Sequence, residues 1–199
     1  MTSPKIFPTP DVVVRAHATV GEGPVFDHRS GRLCWVDIDN GVLYEDDLAT
    51  GHQTQWTTGT LLGAVAPRAQ EPGFAVAVAD GLGYVVDGTL TVVDAVLPEP
   101  HRRMNDAKCD SRGRLWAGST HMEFVPGVGA LHRWDGRGPS SVMAEGFTLP
   151  NGLGWNADDD VMYLADSMRS VLLSAAYRPD EGEIGEFTEV CQIDGGLPD

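Results

Sequence analysis

Gly31-Arg-Leu-Cys-Trp-Val-Asp37 is a brief apolar run closed by turn residues, and the chain carries three more of the same kind. They are Gly73-Phe-Ala-Val-Ala-Val-Ala-Asp80, Gly113-Arg-Leu-Trp-Ala-Gly118 and Asp160-Val-Met-Tyr-Leu-Ala-Asp166. Their starts, at positions 31, 73, 113 and 160, lie 42, 40 and 47 residues apart. Each run is too short for a buried helix and reads as a strand. Further strand-like runs follow. Asn40-Gly41 signals a turn into Val42-Leu43-Tyr44, and Asp87-Gly88 signals one between Tyr84-Val85-Val86 and Leu90-Thr91-Val92-Val93. After Gly129 and Arg169 come Ala130-Leu131-His132-Arg133-Trp134 and Val171-Leu172-Leu173. No segment sustains a 3.6-residue apolar period. The chain is therefore all-β with a repeat of forty-odd residues. That is longer than the roughly 20–29 residues of a solenoid coil and fits a four-stranded β-propeller blade.

Composition agrees. The 199 residues include 24 glycines and 13 prolines, close to a fifth of the chain, which points to many turns and few long helices. Against 14 basic residues stand 29 acidic ones, a formal net charge of −15. Such a surface has no electrostatic grip on phosphate backbones or anionic lipid, so no nucleic-acid or membrane partner is expected. Cys34, Cys109 and Cys191 are widely spaced and form no CxxC pair, so they are expected to be buried thiols in a reducing compartment. Met1 to Val20 lacks the features of a signal peptide, and no run of 18 apolar residues exists. These features predict a cytoplasmic protein.

The segment before each aligned run is expected to be the innermost strand of a blade. Glu22 lies nine residues before Gly31, Asn105 eight before Gly113 and Asn151 nine before Asp160, whereas the second repeat has Ala64 there. Equivalent positions of a radial repeat converge on one ring around the axis, and converging oxygens suit a hard cation. Glu-Gly-Pro and Pro-Asn-Gly are also ordinary turn sequences, so spacing alone leaves both readings open. Arg102-Arg-Met-Asn-Asp-Ala-Lys-Cys-Asp110, placed at the same mouth, reads as a cluster that recognises oxygens of a polar substrate.

Three motifs carry a family pattern. Gly21-Glu22-Gly23-Pro24-Val25, the long stretch from Arg103 through Asn105, Asp106, Lys108 and Asp110 to Gly118, and Asn151-Gly152-Leu153-Gly-Trp155 resemble the gluconolactonase/regucalcin (senescence marker protein) family, with the resemblance running from about Ser3 to Asp199. It implies a six-bladed β-propeller with one divalent cation in its central channel, and a lactonase acting on sugar lactones. By the same resemblance, Glu22, Asn151 and Asp199 match metal ligands, and Asp199 also matches the general base. Arg103, Asn105 and Glu123 match substrate-contacting positions, Glu123 by its offset from Asn105 alone. All-oxygen ligation favours Ca²⁺, with Mg²⁺, Mn²⁺ or Zn²⁺ also allowed.

Rival chemistries have little support, since neither HExxH nor Gly-x-Ser-x-Gly occurs. Asp37-Ile-Asp39-Asn40-Gly41 reads as a hairpin and Asp158-Asp159-Asp160 as a solvated turn. Six blades of this length need about 240 to 280 residues. The expectation is therefore one incomplete propeller domain over 1–199, with about four blades present and the last two beyond Asp199. Val12-Val13-Val14-Arg15-Ala16 would be the strand that closes the ring. The alternative function is a calcium-binding regulatory protein of the regucalcin type without significant turnover. A third is a different hydrolase on the same scaffold.

Overall fold

The computed structural model describes residues 10–199; the stretch that includes Ser3 lies outside the described residues. Four antiparallel meanders form four sheets. The first contains β1 (Gly21–Asp27), β2 (Arg32–Asp37), β3 (Val42–Asp47) and β4 (His52–Thr57). The second contains β5 (Leu62–Pro67), β6 (Phe74–Val78), β7 (Leu82–Val86) and β8 (Thr89–Asp94). The third contains β9 (Arg102–Cys109), β10 (Leu115–His121), β11 (Gly129–Trp134) and β12 (Ser141–Phe147). In the fourth, β13 (Pro150–Trp155), β14 (Val161–Asp166) and β15 (Val171–Arg178) are followed by a split outer strand, β16 (Glu183–Ile184) and β17 (Thr188–Gln192). The sheets stand around a common axis as blades of a β-propeller. Their first strands pack side by side, β1 on β5, β5 on β9 and β9 on β13. The four aligned sequence runs are the second strands, β2, β6, β10 and β14.

The two hairpin signals fall at different places. Asn40-Gly41 joins the second and third strands of the first blade, whereas Asp87-Gly88 joins the third and fourth strands of the second. Val12–Ala16 forms no strand; the chain enters the first blade through Thr19 and Val20, whose N–H groups donate to the Asp37 carboxylate at 2.9 and 3.1 Å. Asp166 repeats this latch on the fourth blade, accepting from Thr148 and Leu149 at 2.9 and 3.0 Å. Each aspartate ends a second strand and holds the entry to the first strand of its own blade.

The core lies between blades. One layer joins Cys34, Val36 and Leu43 to Leu62, Val65, Phe74 and Val76. A second joins Ala64, Ala77 and Leu82 to Met104, Leu115, Ala117 and Trp134, and a third joins Trp116, Leu131 and Phe147 to Leu153, Met162 and Leu164. Along β10, Leu115 and Ala117 face the second blade while Trp116, between them, faces the fourth. A strand buried on both faces needs apolar residues at successive positions, which is why the second strands read as unbroken apolar runs. Cys34 is buried, and burial pushes its thiol up to about 12. Cys109 and Cys191 are exposed, contrary to the expectation of three buried thiols, because Cys109 ends β9 and Cys191 lies on the outer strand β17, which is exposed along its whole length.

Inside the third blade, His132 is 3% exposed with Nε2 3.0 Å from Ser119 Oγ. Burial, reinforced by the Arg102 charge, lowers its pKa to about 4 from 6.5. Above pH 6.5 neither the folded nor the unfolded chain protonates this ring. Below it the unfolded chain takes up a proton that the folded chain refuses, so stability falls as pH drops toward 4. Between about pH 7.5 and about pH 5 this group is expected to cost about 2 kcal/mol. Urea unfolding at both pH values checks it, with the loss diminished by that amount in His132→Gln.

Candidate active site at the propeller mouth

All four innermost strands carry the same irregularity at the same height. In β1, Glu22 pairs with Val36 and Val25 with Cys34, so Gly23-Pro24 stand opposite the single residue Trp35. In β5, Gly63 is the extra residue between Leu62 and Ala64. In β9, Asn105-Asp106 face Gly118, and in β13, Asn151-Gly152 face Ala165. A bulge inserts one residue, bends the strand and re-aims its side chains. Asn105 and Asn151 therefore sit on bulges, and Glu22 directly before one, at positions that meet around one axis. In the second blade Ala64 packs into the core, and Gly63 takes the close approach: a Cβ there would collide with the carbonyl oxygen of Asn105.

Asn105, 5% exposed, links the third and fourth blades, its Nδ2 donating to the Pro150 carbonyl at 3.0 Å and to Asn151 Oδ1 at 3.1 Å. Arg103 Nη1 donates to Asn105 Oδ1 at 2.7 Å and to the Met104 carbonyl at 3.0 Å. Asn151 Nδ2 donates to Ser167 Oγ at 3.0 Å. Asp199 belongs to the same place, because a Cβ on Gly152 would lie 2.6 Å from its carbonyl carbon. Glu22 shares the electrostatics of the mouth: burial first, then the Asp199 charge, raise its carboxyl above the ordinary value, against the Gly23 N–H and Arg103. Burial lowers Arg103, while Asp39 and Glu22 favour its charge. Glu22, Arg103, Asn105, Asn151 and Asp199 are thus brought together.

The profile described as SMP-30/Gluconolactonase/LRE-like region matches residues 20–199. The chain belongs to that family. The pentonolactonase XacC of Haloferax volcanii is 31% identical over 193 residues, covering 94% of this chain and 64% of its own length. The 6-deoxy-6-sulfogluconolactonase of Pseudomonas putida is 32% identical over 195 residues, 94% of this chain and 66% of that protein. Among solved structures, the calcium-binding protein regucalcin of Agrobacterium tumefaciens superposes with a TM-score of 0.82 at 25% identity, over 90% of this chain and 62% of that one. The chain spans about two thirds of the length of these curated relatives.

Within this gluconolactonase-family propeller, Glu123 has no polar contact with those five site residues among the described residues. It is exposed in the turn after β10, at the end of the sheet where His121 pairs with Arg102 and Thr120 with Arg103. Its backbone N–H donates to His121 Nδ1 at 3.1 Å, and among the described residues its side chain makes no hydrogen bond or ion pair with the cluster. Two residues with no role assigned from the sequence do reach the site. Burial pushes Asp106 up to about 6, with Asp199 and Glu22 adding to the rise. Ser167, which follows β14, touches both Asn151 and the Pro198 carbonyl. Asp106 lay within a quoted motif beside Asn105; nothing local marks Ser167.

Among the described residues no group of three or more His, Cys, Asp or Glu is arranged around one ion. The candidate set is mixed: the Glu22 and Asp199 carboxylates with the Asn151 amide oxygen. Its chemistry fits a hard divalent cation, since all donors are oxygens and two of them are carboxylates close enough for Asp199 to raise Glu22.

Proposed function

We propose that Glu22, Asn151 and Asp199 hold one divalent cation at this mouth and that the protein opens sugar lactones there, Ca²⁺ being the favoured ion. The observation that carries the reading is the convergence of Glu22, Arg103, Asn105 and Asn151, from the innermost strands of three blades, with Asp199 from the segment beyond β17, in a chain whose relatives include a pentonolactonase and a sulfogluconolactonase. Bound there, the cation would polarise the lactone carbonyl and make a water acidic enough to attack near neutral pH. Asp199, exposed at the mouth, takes the proton of the attacking water and returns it to the ring oxygen as the acyl C–O bond breaks. Arg103, held by Asn105, donates to substrate hydroxyls and then to the carboxylate of the opened sugar acid. Glu123, on the exposed turn after β10, contacts the substrate from the rim.

The deciding experiment strips the protein with EDTA, reloads it with Ca²⁺, Mg²⁺, Mn²⁺ or Zn²⁺ in turn, and follows acid release from a panel of five- and six-membered sugar lactones. Opening of at least one lactone above the buffer rate, abolished by EDTA, is expected. If no lactone opens with any ion while Ca²⁺ still binds, turnover is ruled out and the calcium-binding reading stands. Arg103→Ala is expected to leave Ca²⁺ affinity within about twofold and to lower kcat/KM by about 10²-fold, roughly the worth of two charge-assisted hydrogen bonds. Parallel loss of Ca²⁺ binding would make Arg103 a structural residue.

A further inference from the structure

A row of hydrogen bonds crosses the mouth from the third blade to the segment that carries Asp199, and every bond in it points the same way. Arg103 Nη1 donates to Asn105 Oδ1 at 2.7 Å, and Asn105 Nδ2 donates to Asn151 Oδ1 at 3.1 Å. Asn151 Nδ2 then donates to Ser167 Oγ at 3.0 Å, and Ser167 Oγ donates to the Pro198 carbonyl at 2.5 Å. Carbonyls only accept, so Pro150 holds the Asn105 NH₂ on the side of Asn151 and Pro198 takes the Ser167 proton, and these two dictate the sense of the row whether or not the guanidinium is there. Turning the Asn151 amide over would set its NH₂ against that of Asn105 and oblige Ser167 to release Pro198. The row therefore locks Asn151 with its oxygen toward Asn105 and its nitrogen toward Ser167.

Ser167 is built in firmly. It is 2% exposed, its N–H donates to the Leu149 carbonyl at 3.1 Å, and its own carbonyl accepts the Ser170 N–H at 3.0 Å. The short 3-10 turn Ser167–Arg169 thus presents the hydroxyl from a fixed backbone. A hydroxyl is the smallest group that accepts and donates at once, which is what this position requires.

We propose that Ser167 is a positioning residue of the cation site, its hydroxyl fixing the orientation of the Asn151 amide and tethering the Pro198–Asp199 segment. This rests on the cation reading above. Two ligands of separate origin, one on β13 and one beyond β17, are thereby set by a side chain that would touch neither ion nor substrate. Outer partners of ligand side chains are typically worth about 10- to 100-fold in metal affinity.

The test compares Ser167→Ala, Ser167→Cys and Ser167→Thr with wild type and with Glu22→Gln as the reference for a lost ligand. Ca²⁺ alone is titrated calorimetrically, and melting is recorded in EDTA. Alanine and the weakly hydrogen-bonding cysteine are expected to bind Ca²⁺ about tenfold or more weaker, with melting in EDTA lowered by only a few degrees. Threonine, which keeps the hydroxyl, is expected to restore most of the affinity. If either folded variant lacking the hydroxyl binds Ca²⁺ within twofold of wild type while Glu22→Gln is weakened, Ser167 has no positioning role and the cation reading survives. If Glu22→Gln binds as wild type does, the cation reading falls and the role of Ser167 falls with it.

Discussion

Asp110→Ala is expected to lower the unfolding free energy by about 3–5 kcal/mol, the cost of removing one partner from a buried charged network. The Asp110 side chain is wholly buried and sits just beyond the end of β9. One oxygen accepts the N–H groups of Arg112 and Arg114 at 2.9 and 3.0 Å. The other accepts Arg114 Nε at 2.7 Å, Trp116 Nε1 at 2.9 Å and the Tyr177 hydroxyl at 2.8 Å. Burial opposes its charge, but these donors outweigh burial and hold the carboxyl below its ordinary value. Tyr177 belongs to the fourth blade, and Arg114 also reaches the Pro179 carbonyl, so this carboxylate joins two blades at the end opposite the mouth. Alanine would leave five donors without their acceptor. The substitution Asp110→Asn keeps the shape but, in either amide orientation, sets an NH₂ against at least two of these donors, and is expected to cost about as much as alanine. Urea unfolding of the three proteins measures both differences; a loss below about 1 kcal/mol for alanine would show that water replaces the carboxylate freely.

Glu22→Gln is expected to reduce lactone opening by about 10²-fold or more and Ca²⁺ affinity by at least about tenfold, because one full ligand charge disappears with little change in shape. The fold should be indifferent to the change. Among the described residues the Glu22 side chain accepts only its neighbour's N–H, at 3.2 Å from Gly23, and its carboxyl is raised by burial and by Asp199. In EDTA the variant should melt at or slightly above the wild-type temperature, since a repulsion between two carboxylates is relieved. Calorimetry, lactone titration and melting in EDTA together test this. Equal Ca²⁺ affinity in the two proteins would remove Glu22 from the ion, and a large drop in melting temperature would mean that the carboxylate serves the fold.

The four-fold repetition was legible because alternation, turn residues and strand length are local properties of the chain. Glu22, Asn105 and Asn151 could be aligned by counting, since each precedes a second strand by nearly the same number of residues. The eight-residue offset of Asn105, against nine for the others, reflects where the aligned runs begin: Gly113 stands two residues before β10, whereas Gly31 and Asp160 stand one residue before β2 and β14. The bulges were not legible. A bulge exists only between two strands, and Gly63, Asn105-Asp106 and Asn151-Gly152 have no common residue type to announce it. Glu123 was placed by offset alone and lies exposed on the rim loop, because loop length after β10 has no repeat to hold it in register. The exposure of Cys109 and Cys191 is equally a matter of assembly: Cys109 ends an innermost strand, and Cys191 lies on an outer strand that is exposed along its whole length.

Residues 10–199 thus carry in their sequence an all-β chain, its repeat of forty-odd residues, the acidic surface and the resemblance to the gluconolactonase family, all of which depend on order along the chain. Tertiary structure alone decided which polar residues meet. Ser167 matters through a carbonyl 31 residues away, Asp110 through a tyrosine 67 residues away, and Asn105 through an amide 46 residues away on the next blade. Hydrogen bonds act over about 3 Å, and only closure of blades around an axis brings groups so distant in sequence to that range.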